Sequence, residues 1–174
     1  GVKTPDRRRA SKSFIAAHGP RVVPDLWAEL EREFQYVGAD VLWAKVSQLS
    51  SADVEWLGGF VQQKSWWDTV DALAKTIGQV ATAQQMLAWS VADNLWLRRV
   101  AIIHQLRRKA STDADLLARI IVNNVGSTEF YINKAIGWAL REYSKTDADW
   151  VWGFVATHEL SRLSQREALK RLGG

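Results

Sequence analysis

The chain has 174 residues, 47% of them apolar and 24% charged, which is long enough for one domain with a substantial core. It contains no cysteine, so disulfides, thiolate zinc sites and iron-sulfur clusters are excluded. The net charge of +4 permits an acidic partner, and no apolar run approaches the ~20 residues of a membrane span.

The opening GVKTPDRRR lacks the apolar core of a signal peptide, and a soluble intracellular protein is expected. His18, His104 and His158 lie far apart with no HxxxH-type pair, so no metal is expected either. Ten tryptophans against three tyrosines and five phenylalanines reverse the usual order of abundance, and some of these indoles should do more than fill a core.

The three prolines, Pro5, Pro20 and Pro24, all fall early, so nothing after residue 24 is barred from helix. No alternating β-branched run marks a strand. Apolar spacing near 3.6 instead predicts helices over 5–18, 24–33, 34–48, 51–63, 66–78, 80–90, 94–109, 113–125, 128–144, 147–158 and 164–172. Expected starts are Ser65 with Asp68, Asn94, Thr112 with Asp115, and Ser164 with Glu167. Gly78, Gly126 and Gly173 read as stops. Aromatic-led or apolar segments begin at Phe34, Trp66, Leu95 and Phe130, about 28 to 35 residues apart, which predicts stacked helical pairs of the HEAT-like repeat type with one concave face. The whole chain, 1–174, is expected to be a single domain of this kind.

Within the helix beginning near Trp66, the positions Trp66, Val70, Leu73 and Ile77 form an apolar stripe, which makes Trp66 core. Trp67 falls ~100° away and shares a face with Asp71, flanked by Lys64 and Lys75. The segment STEFYINKAIGWALREYSK repeats the device, with Ile132, Ile136, Leu140 and Tyr143 on one stripe and Phe130, Lys134, Trp138 and Arg141 on another. Of the tandem Arg98 and Arg99, periodicity makes Arg98 the solvated one, on a stripe with Gln105, and leaves Arg99 part-buried. A part-buried arginine suits phosphate, because its fork keeps donors oriented and its charge is permanent; an inter-repeat salt bridge is the plainer use. Each tryptophan has a plainer use too, packing against the next repeat.

The blocks KSWWDTVD, NLWLRRVAIIHQLRRK, EFYINKAIGWALREYSKT and LSQREALKRL resemble, in order and from end to end, the AlkD-type DNA alkylation repair family, and GVKTPDRR and REFQYVGADVL resemble it as well. The resemblance implies an all-α, HEAT-like superhelix that excises cationic N3- and N7-alkylated purines from double-stranded DNA without metal or diffusible cofactor. Carried over by motif, it implies Asp71 as the catalytic carboxylate, Trp67 and Trp138 as lesion contacts and Arg99 on the DNA backbone. Arg98, Lys134, Arg141 and Arg166 are expected to join Arg99 there. The resemblance also implies further helices ahead of the GVKTP block, a monomer, and a bacterial cytosolic location. Recognition is expected through the backbone and the lesion's charge rather than a tight base-flipping pocket. Two other readings stay open: a catalytically weak DNA-binding scaffold, and a HEAT module whose concave face takes an acidic peptide.

Overall fold

The computed structural model describes residues 1–173, and among them there are eleven α-helices and no strand. In chain order these are α1 (Thr4–Ala17), α2 (Val23–Ala28), α3 (Arg32–Ala44), α4 (Val54–Gln62), α5 (Trp67–Val80), α6 (Ala83–Trp89), α7 (Leu95–Ile103), α8 (Ala114–Val122), α9 (Phe130–Tyr143), α10 (Ala148–Thr157) and α11 (Arg162–Leu169). The all-helical class is the one the 3.6-residue periodicity predicts. No helix is long and apolar enough to cross a membrane, and no group of three or more His, Asp or Glu could hold a metal, both among the described residues.

The helices gather into two compact units, Gly1–Ala81 and the remainder from Thr82 onward. In the first, α3 packs on α1, α2 and α5, and α4 backs α5. In the second, α9 lies between α7 and α11 with α10 against both α9 and α11, while α6 backs α7 and α8. The spacing of 28 to 35 residues marks the starts of α3, α5, α7 and α9, and the lateral neighbours α3–α5 and α7–α9 follow it. Each unit buries its own aliphatic stripe: Leu42, Leu57, Leu73 and Ile77 in the first, Ile102, Ile120, Ile132, Ile136 and Leu140 in the second. At roughly 1.5–3 kcal/mol per fully buried side chain, these stripes decide which helix faces turn inward.

Several predicted boundaries move, each for a local reason. Helix α5 starts at Trp67 because Trp66 is extended (φ −150°, ψ 152°), and Ser65 does not cap it but donates to the Val61 carbonyl at the end of α4. Trp66 therefore leaves the apolar stripe and is 43% exposed, against the expectation that it is core, while Val70, Leu73 and Ile77 are fully buried. Gly78 does not stop α5, which continues to Val80. Asn94 caps α7 as expected, accepting from the Trp96 and Leu97 amides. The caps of α8 and α11 are Asp113 and Ser161, not Thr112 and Ser164. Gly126 (φ +83°) lies in the turn beyond α8, where the left-handed backbone suits glycine.

Helix α7 ends six residues before the predicted 109, and the chain then passes through left-handed Arg107 (φ 69°) and Lys109 (φ 54°). Gln105 is consequently not on a solvated helical stripe with Arg98. It is buried, and its amide accepts from the Asp113 amide at 2.8 Å and donates to the Asp113 carbonyl at 3.0 Å, tying the end of α7 to the start of α8.

His104, at the same turn, is 5% exposed, with Nδ1 2.6 Å from the Ala101 carbonyl. Burial pushes its pKa down from 6.5 to about 4; the Ala101 bond and Asp113 oppose this, and Arg108 adds to it. The folded state thus binds fewer protons than the unfolded chain between these values. His104 costs nothing above pH 6.5, and stability falls as the pH drops from there towards 4. Thermal midpoints measured from pH 7 to pH 4 should decline more steeply in the parent than in His104→Gln.

Candidate nucleic-acid interface

In the first unit the candidate residues lie on one ridge of α5. Trp67, at its first position, is 44% exposed; Asp71 is half-buried one turn on, and Lys75 is exposed one turn further. Lys75 holds its ammonium 3.3 Å from the ring centroid of Trp43, an indole of α3 that is 38% exposed. Lys64, expected to flank this ridge, is committed elsewhere: from a left-handed backbone (φ 51°) its ammonium donates to the Ala28 and Glu29 carbonyls at the end of α2.

The block SWWDTVD contains two aspartates, and the first of them joins two helices. Asp68 accepts from Arg32 and from the Tyr36 hydroxyl of α3, both at 2.6 Å. Partial burial works against its ionisation, but the bonds from Tyr36 and Arg32 and the charge of Arg32 outweigh this and hold the carboxyl below its ordinary value. Asp68 thereby ties α5 to α3. Asp71 shares its ridge with Trp67, as the i, i+4 rule predicts.

In the second unit Arg99 is 5% exposed, more deeply buried than periodicity suggests, and its Nη1 donates to the Tyr131 carbonyl of α9 at 2.7 Å. Arg98, expected to be the solvated member, is half-buried, and its Nε is buried without a partner. On α9 the ridge Lys134, Trp138, Arg141 is present, with all three half-buried. The two cations are not left to solvent: Lys134 Nζ lies 3.0 Å from Glu167 Oε1 and Arg141 Nη1 lies 2.7 Å from Glu167 Oε2. The hydrogen bond from Lys134, with the charges of Lys134, Arg141 and Lys170, outweighs desolvation and holds the Glu167 carboxyl below its ordinary value. Arg166, the next residue back on α11, is exposed.

Glu167 reaches α9 because the two helices approach closely. A Cβ built on Gly137 would stand 2.5 Å from Glu167 Cβ and 2.9 Å from the Ser164 carbonyl oxygen, and Ser164 Oγ donates to the Asn133 carbonyl at 2.9 Å. Sequence spacing reads Ser164 and Glu167 as the start of a helix. Because α11 is capped three residues earlier, at Ser161, both turn into the α9 contact instead. Sequence spacing does not reveal the clamp role of Glu167 or the Trp43–Lys75 contact; the one signal for the clamp is the spacing of Lys134 and Arg141, seven residues apart on one helix face, which lets a single carboxylate bridge them.

The first unit thus carries an exposed indole and a carboxylate on one ridge of α5, and the second carries Trp138 between two cations on α9, both within an all-helical protein. A family model described as DNA alkylation repair enzyme matches residues 1–172, and the chain belongs to that family. A solved structure from Enterococcus faecalis, described as a predicted DNA alkylation repair enzyme, is similar with a TM-score of 0.93 and 35% identity over 99% of this chain and 87% of that one. No curated protein matches the chain.

Proposed function

We propose that this chain is a DNA glycosylase that hydrolyses the N-glycosidic bond of cationic N3- and N7-alkylated purines in duplex DNA. The observation that carries the reading is the α5 ridge, where exposed Trp67 stands one turn before half-buried Asp71, in a chain of the DNA alkylation repair family. An alkylated purine already bears positive charge, so the base leaves as a neutral molecule and the sugar takes up the charge. Asp71 stabilises that oxocarbenium-like sugar and orients the water that adds to C1′, the proton of the water passing to solvent. Trp67 and Trp138 contact the cationic nucleotide through their electron-rich faces, each worth ~0.5–2 kcal/mol.

In this reading Arg99, with Arg98, Lys134, Arg141 and Arg166, serves the DNA backbone; Arg99 is 5% exposed and bonded to the Tyr131 carbonyl, so exposed Arg166 and half-buried Arg98 are the more accessible of these cations. Recognition runs through phosphates and lesion charge, and no metal or diffusible cofactor takes part. The protein acts as a monomer in the cytosol.

The test is release of 7-methylguanine and 3-methyladenine from methylated duplex DNA, read beside duplex binding at two salt concentrations. Expected are base release and an affinity that falls steeply with salt, log K losing about 0.9 per tenfold rise in salt for each phosphate engaged. Steep salt dependence without base release would leave a DNA-binding scaffold, and weak, salt-indifferent binding would leave a protein-binding module.

A further inference from the structure

The second unit contains a cleft of about 430 Å³ among the ends of α7 and α9 and the start of α8. Its floor is apolar, from buried Ile102, Leu117 and Ala139, and half-buried Tyr143 lines it as well. That volume lies within the roughly 300–1,000 Å³ of small-ligand sites, which are likewise mostly apolar with a few placed polar groups.

The polar groups here are cations. Arg107 and Lys109 line the cleft, both exposed, and neither side chain makes a hydrogen bond or ion pair with any described residue. Lys145, also at the cleft, is neutralised by Glu142 at 2.5 Å, so the uncompensated charge belongs to Arg107 and Lys109.

Their backbones sharpen the point. Arg107 (φ 69°) and Lys109 (φ 54°) are left-handed, a backbone conformation that residues other than glycine adopt at a cost. The remaining left-handed non-glycine among the described residues, Lys64, spends its ammonium on two backbone carbonyls. Arg107 and Lys109 have no such structural use, yet the turn carries two long cations rather than glycine or asparagine. Two unpartnered cations beside an apolar floor and a phenol ring complement a dianionic phosphate monoester joined to the flat face of an aromatic ring.

We propose that this cleft binds a nucleoside 5′-phosphate, its base over the Ile102–Leu117–Ala139 floor beside Tyr143 and its phosphate between Arg107 and Lys109. The ligand is a free nucleotide or the 5′-phosphorylated end of a DNA strand, which present the same chemistry. The site shares no residue with the α5 ridge and does not depend on glycosylase activity.

The test is calorimetric titration of the full chain at low salt with 2′-deoxyguanosine 5′-monophosphate, with deoxyguanosine and inorganic phosphate run separately. The nucleotide should saturate one site, and each fragment should bind at least tenfold more weakly. Arg107→Asn with Lys109→Asn removes both charges while keeping a residue that tolerates the left-handed backbone. The double variant should bind the nucleotide at least tenfold more weakly with an undiminished thermal midpoint. Absent saturation, equal binding of inorganic phosphate, or nucleotide affinity unchanged in the double variant would each overturn the proposal. A 5′-phosphorylated single strand compared with its 5′-hydroxyl counterpart identifies the source. A phosphate-dependent gain that the double variant abolishes supports a strand end, and nucleotide binding without that gain supports the free nucleotide.

Discussion

Asp71→Asn should lower the single-turnover rate of 7-methylguanine release by about 10²–10³-fold, the usual cost of removing one preorganised group that stabilises transition-state charge. The substitution keeps the shape and removes the formal charge, so duplex binding should change far less than the rate. Asp68→Asn is the informative partner, because Asp68 stands three residues away in the same block but is bonded to Arg32 and Tyr36. Its loss should lower the thermal midpoint and leave the rate per folded molecule nearly intact. Equal rate losses in both variants would mean that the carboxylates act through folding, and the catalytic assignment of Asp71 would fail.

Gly137→Val should destabilise the second unit by about 3 kcal/mol or more, at the upper end of what overpacking a well-filled contact costs. The first added carbon already meets Glu167 Cβ at 2.5 Å and the Ser164 carbonyl at 2.9 Å, and the latter is backbone, which cannot swing aside. Helix α11 must retreat from α9, and with it the carboxylate that holds Lys134 and Arg141 on either side of Trp138. Urea unfolding measures the loss. Gly153→Val is the control, since a Cβ at Gly153 meets nothing within 4 Å. Similar midpoints for the two variants would show that the close approach is not a tight one.

Helical periodicity carries far in this chain because it reports on faces. It identifies Val70, Leu73 and Ile77 as core, pairs Trp67 with Asp71, and gathers Lys134, Trp138 and Arg141 on one ridge. It fails where the chain stops being a helix. Trp66 is one residue outside α5 and Gln105 two residues beyond α7, so a helical projection assigns both to the wrong surroundings. Capping residues are similarly ambiguous when polar residues adjoin: Thr112 and Asp113 are both plausible, and only the backbone geometry selects Asp113. Long-range partners are invisible to spacing altogether. Glu167 lies 33 residues from Lys134 and 26 from Arg141, and Asp68 lies 36 from Arg32. The roles of Asp71, Trp67, Trp138 and Arg99 rest on family resemblance, because reactivity leaves no mark on periodicity.

The Glu167 carboxylate is only 12% exposed, whereas the Arg9–Asp6 pair is 80% and 56% exposed. Mobile ions dissolve the second kind of contact readily and reach the first poorly. Raising ionic strength should therefore loosen the Arg9–Asp6 contact while the Glu167 seam between α9 and α11 stays shut, so that any salt-dependent loss of DNA binding under the proposed function reports on the protein's surface and not on its folding.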